Sequence, residues 1–159
     1  MRAGVLALAS LSSLLSFVTP TRALVWPDVP ERIAAQLDAK DVETRRSAAA
    51  DLGTLSRARG SSLALKAIDD TDAEVRILGA KAAALFRVKG ATAKVLPWLA
   101  DRDVRLRIAA CEVARADESV EAVVPLARAL SDADATVRSA AAEALGAQKT
   151  KDAVQPLLA

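Results

Sequence analysis

Carboxylates are the first residues of this 159-residue chain whose spacing could support chemistry. Asp69, Asp70 and Asp72 fall within one short run, and alternating carboxylates suit a hard cation such as calcium. A calcium loop also needs an interior glycine and a distal bidentate glutamate, and this run has neither, so a capped turn is the better reading. Cys111 is the single thiol, which rules out an intramolecular disulfide and leaves packing first and reactivity second. The chain has no histidine, so the commonest general base and the commonest transition-metal ligand are missing together. Nor does it hold a nucleotide-cradling glycine loop, a nucleophile elbow or a histidine-based triad. The expectation is no catalytic residue, no metal site and no cofactor.

The aspartates belong to a longer pattern. The segments beginning at Leu37, Ile68, Leu99 and Leu130 align without a gap at a period of 31 residues. Asp41, Asp72, Asp103 and Asp134 form one column, and Arg45, Arg76, Arg107 and Arg138 form another. Recurrence in every unit assigns both columns to capping and to hydrogen bonds between units rather than to catalysis.

Each aspartate opens a stretch with apolar residues at helical spacing. In the fourth unit these are Val137, Ala140, Ala141, Ala144 and Leu145, one buried stripe. The aspartate reads as the N-cap, and Gly146, like Gly53 in the first unit, reads as the stop. Upstream of each aspartate lies a second apolar stretch, such as Val123, Val124 and Leu126, with Pro125 in an early position that a first turn tolerates. The turns between are only a few residues long, so the two helices of a unit must be antiparallel neighbours. The predicted fold is all-α: a right-handed solenoid of stacked helix hairpins, with about four and a half repeats. The hairpins are expected at about 30–56, 60–87, 91–116 and 119–147, with an incomplete one at 150–159. Only 3% of residues are aromatic, so burial must come from close approach of small side chains.

The string from residue 130 to 146, Leu-Ser-Asp-Ala-Asp-Ala-Thr-Val-Arg-Ser-Ala-Ala-Ala-Glu-Ala-Leu-Gly, resembles the HEAT-like repeat of the type named after phycobilisome lyases. The resemblance covers about residues 30–159. It implies a first helix on the convex face, a second on the concave face, and a ladder linking turn aspartates to helix arginines. Three departures stand out. Thr44 replaces the Val75, Leu106 or Val137 of the other units, Arg115 replaces the terminal glycine, and residues 151–159 supply a first helix without a second. The third unit should therefore end irregularly, and the uncovered Val154, Leu157 and Leu158 suggest end-to-end self-association or a truncated chain.

At the N-terminus, Arg2 precedes an uncharged apolar run over residues 3–18, then Pro20 and the small residues Thr21 and Ala23. This reads as a secretory signal over residues 1–23, followed by a linker at 24–29 and the repeat domain at 30–159. The run is about 16 residues, short of the roughly 20 that span a bilayer, so no stable membrane insertion is expected after cleavage. The mature chain would be exported, periplasmic or extracellular. Removing Arg2 and Arg22 turns 22 basic and 20 acidic residues into an even balance, without the basic excess of a nucleic-acid binder.

The expected partner is another protein. Residues one and five after the arginine column should point into the groove: Arg46, Ile77, Ile108 and Ser139, and Ala50, Lys81, Glu112 and Glu143. Ile77 and Ile108 form a small apolar centre with a charged rim, unless both pack against neighbouring helices. Trp98, in the column of Ala67 and Ala129, shields a helix junction or, as the second option, anchors a partner. The functional expectation is a non-catalytic interaction module or scaffold. The alternative implied by the resemblance is a phycobilisome-lyase-like chaperone or lyase acting on a client protein and its chromophore.

Overall fold

The structure is a computed structural model that describes residues 28–148; the signal segment, residues 24–27 of the linker and the incomplete hairpin lie outside the described residues. Among the described residues every regular element is helical, and the helices form an α-solenoid of antiparallel pairs. The pairs are α1 (Val29–Leu37) with α2 (Val42–Asp51), α3 (Arg57–Ile68) with α4 (Ala73–Phe86), α5 (Ala91–Val95) with α6 (Val104–Asp117), and α7 (Val123–Ala129) with α8 (Ala135–Ala147). The second helices α2, α4, α6 and α8 contact one another in order, which sets them as one row.

Every second helix starts on an aspartate of the 31-residue column. Asp41 accepts from Thr44 N, Asp72 from Glu74 N and Val75 N, Asp103 from Arg105 N, and Asp134 from Thr136 N and Val137 N. These carboxylates satisfy backbone donors that the first helical turn leaves free. Thr44 also donates its hydroxyl to Asp41 at 2.7 Å, which gives the first unit's polar departure a role in the cap.

The helix ends differ from the sequence expectation. Gly53 and Gly146 are not left-handed stops: Gly53 lies in a 3-10 turn (Leu52–Thr54), and Gly146 lies inside α8. The left-handed positions fall instead at Arg87 (φ 50°) and Glu118 (φ 53°), themselves 31 residues apart, and at Gly90. Arg115 does not make the third unit irregular, because α6 continues past it to Asp117 and closes on Glu118. The irregular element is the first helix of that unit. Pro97 has no N–H and crowds the preceding turn, and after Val95 the chain tightens into a 3-10 segment (Leu96–Ala100).

Burial follows the predicted stripe except at Ala140, which is only half-buried. Ala48, Ala49, Val75, Ala80, Leu106, Ala110, Val137, Ala141 and Leu145 are all nearly or fully buried. The core forms two clusters that meet at α6, which gives Leu106, Ala109 and Val113 to one and Cys111 and Ala114 to the other. Helix α4 approaches the α3 backbone closely at Gly79, where an added Cβ would lie 2.7 Å from Ala67 Cβ and 2.8 Å from Ile68 N. A buried polar group ties the third unit together: Asp117, 5% exposed, accepts from Thr92 Oγ1 at 2.9 Å and lies 3.3 Å from Lys89 Nζ.

Candidate functional site

The arginine column does join the units, but through a different aspartate from the capping one. Arg45 Nε donates to Asp70 Oδ2 at 2.8 Å and Nη2 to Oδ1 at 3.1 Å, while Nη1 donates to the Ala39 and Lys40 carbonyls of its own turn. Arg107 repeats the arrangement: Nη2 donates to Asp132 Oδ1 at 2.9 Å and Nη1 to the Asp101 and Arg102 carbonyls. Its Nε lies 2.9 Å from Asp132 Oδ2, but off the line of a hydrogen bond. Each such guanidinium closes one turn and clasps the next. Arg138 keeps the turn half, donating to the Asp132 and Ala133 carbonyls. Arg76 departs from the pattern. Its guanidinium carbon stands 5.5 Å from the centroid of Trp98, while Asp101 keeps the Asp103 N–H bond that Asp70 and Asp132 make at the matching place. Trp98 is only 8% exposed, so it shields this junction rather than offering a free anchor.

These bonds occupy the carboxylates that raised the question of a cation. Asp70 takes Arg45 and the Asp72 N–H, Asp69 pairs with Lys94, and Asp72 takes Arg46 together with its cap donors. Hydrogen bonds from Arg46 hold Asp72 down to about 2. Those from Arg107 and the Asp134 N–H keep Asp132 below the usual carboxylate range. Cys111 is fully buried among small side chains, and burial pushes its thiol up to about 12, which removes the reactive reading.

Of the eight residues expected to line the inner face, Ala50 is exposed on α2, and the other seven separate in the structure. Arg46 is not a free binding residue: it makes a bidentate pair with Asp72 at 2.9 and 2.7 Å and a third contact with Glu43. Ile77 is 4% exposed and belongs to the core, where its column neighbours on α2 and α6 are the bulky Arg46 and Ile108. Ile108 is only half-buried, since the α8 residue in its column is the small Ser139. Lys81, Ser139 and Glu143 are exposed, and Glu112 is half-exposed.

Two adjoining depressions collect the remainder. One, of about 240 Å³ between α4 and α6, is lined by Ile77, Lys81, Ile108, Ala109 and Glu112, with Glu74 and Arg105 at the rim. The other, of about 190 Å³ between α6 and α8, is lined by Ile108, Glu112, Ser139, Ala140 and Glu143, with Arg115 and Thr136. Ile108 and Glu112 belong to both. The sequence reading passed over Glu74, Arg105 and Thr136, although they form a column of their own two residues after the capping aspartates.

Residues 92–159 match the family described as HEAT repeats. Among solved structures, the crystal structure of an engineered protein, a Northeast Structural Genomics Consortium target, aligns over 82% of this chain and 67% of its own. The identity is 21% and the TM-score 0.67, a likeness of fold alone. No curated protein matches the chain.

Proposed function

We propose that this chain is a non-catalytic platform that holds another protein on the face made by α4, α6 and α8. The observation that carries the reading is the pair of depressions sharing Ile108, an apolar floor edged by Lys81, Glu112 and Glu143. An apolar centre with a polar rim is the anatomy of a protein interface. The match of the C-terminal hairpins to HEAT repeats supports it, since solenoid repeats present extended surfaces to polypeptides. At about 190 and 240 Å³, each depression falls below the roughly 300–1,000 Å³ of sites that enclose a small molecule. That favours a polypeptide over the chromophore of a phycobilisome-lyase-like activity.

We propose also that the protein works outside the cytoplasm, on the strength of the signal-like residues 1–23. Capture from an extracytoplasmic fraction tests both statements. The wild-type chain should retain a partner that Glu112→Lys with Glu143→Lys releases, with the same helical circular dichroism in both. Equal retention by the variant removes this face from the function. A mature N-terminus at Leu24 supports export, and an intact N-terminus in the cytoplasm refutes it.

A further inference from the structure

We infer that the occupant of this face is an amphipathic helix of the partner, lying across α4, α6 and α8, with one acidic residue followed at steps of about seven by two basic residues. The inference rests on the platform reading and adds the partner's chemistry. Its starting point is register. Arg105 Nη1 reaches Glu74 Oε2 at 2.9 Å although the two are 31 residues apart, so side chains in one column of neighbouring second helices reach one another. The column that borders both depressions carries Lys81, then Glu112, then Glu143.

Among the described residues none of these three has an ion-pair partner. Lys81 can answer at most one of the two glutamates, and Glu112 and Glu143 border the same depression with the same sign. Arg115 stands at the margin of that depression, one turn beyond Glu112. The order of charges along the row is therefore plus, minus, minus, over a floor of Ile108, Ala109 and Ala140. A complementary ligand reads minus, plus, plus, with aliphatic side chains between.

Packed helices lie about 8–10 Å apart. A ligand helix rising about 1.5 Å per residue covers that distance in six or seven residues, which places its charges two turns apart on one face. An extended strand fits less well. Main-chain groups in the interior of an α-helix are engaged within that helix, so a face made by α4, α6 and α8 offers no sheet edge to pair with, whereas a ligand helix arrives with its own backbone satisfied.

The test uses a fluorescently labelled helical peptide of about 20 residues with Glu at one position, Lys seven and fourteen residues later, and Leu one turn after each charge. Its mirror carries Lys, Glu and Glu at those positions. Fluorescence anisotropy should show the first peptide binding the purified chain at least about 10-fold more tightly than the mirror, and Glu112→Lys with Glu143→Lys should reverse that order. Equal affinity for the two peptides, or an unchanged order with the variant, overturns the inference. If neither peptide binds while the variant still releases the captured partner, the platform stands and the helical ligand falls. If the variant keeps the captured partner, the platform itself falls.

Discussion

Alanine at position 79 should destabilise the protein, although three of the four hairpins carry alanine in that column as Ala48, Ala110 and Ala141. In a helix interior, glycine to alanine normally gains about 1 kcal/mol. Here the new Cβ would meet Ala67 Cβ at 2.7 Å, Ile68 N at 2.8 Å and Ala67 C at 2.9 Å. Two of these are backbone atoms, so no side chain can turn aside. To regain 3.4 Å, α3 must move about 0.7 Å from α4. Overpacking of this kind costs about 1–3 kcal/mol, which exceeds the gain in propensity. Gly146→Ala is the matched control. It lies inside α8 with no atom of the described residues within 4 Å of an added Cβ, so only the propensity gain of about 0.5–1 kcal/mol remains. Thermal and urea unfolding followed by circular dichroism should show Tm falling by several degrees for Gly79→Ala and rising by about 2–4 °C for Gly146→Ala. A rise for Gly79→Ala would refute the close approach of α3 and α4. A fall for Gly146→Ala would restore that glycine as the helix stop read from the sequence.

Cys111 should resist a thiol reagent at neutral pH until denaturant is added, and Cys111→Ala should cost no more than about 1 kcal/mol by urea titration, because its column is otherwise alanine. Asp70, Asp72, Asp132 and Asp134 all titrate below their unfolded value near 3.9. The unfolded chain therefore binds more protons in that window, and Tm should hold above about pH 4 and fall as pH drops toward 2; a Tm flat across that range would refute the ladder. Leu145→Asp should abolish cooperative unfolding by burying an unpaired charge, while Glu143→Ala should leave Tm nearly unchanged, and equal tolerance of the two would show the stripe on α8 to be misphased.

The helix pairs were legible because three columns of different chemistry stay in phase, and an aspartate before an apolar stripe has one common structural use. The ladder was harder to see. Asp70, Asp101 and Asp132 lie two residues before the capping aspartates, and the first unit has Ala39 there, so the capping column hid the clasping one. The left-handed ends at Arg87 and Glu118 carry no glycine and give no local signal. Asp117 did leave a trace, as a carboxylate in the column of Leu55 and Phe86, but its partners Thr92 and Lys89 are set by the fold. On the inner face, periodicity gave the columns but not the burial. Ile77 and Ile108 share a position, and only the size of their neighbours separates a core residue from a half-open one.

The stacking of Arg76 on Trp98 makes one joint chemically unlike those on either side of it. An indole ring takes up no proton, whereas Asp70 and Asp132, which clasp the flanking joints, do so as acid is added. Acidification should therefore release the arginine clasps on Asp70 and Asp132 while leaving the stacking of Arg76 on Trp98 in place.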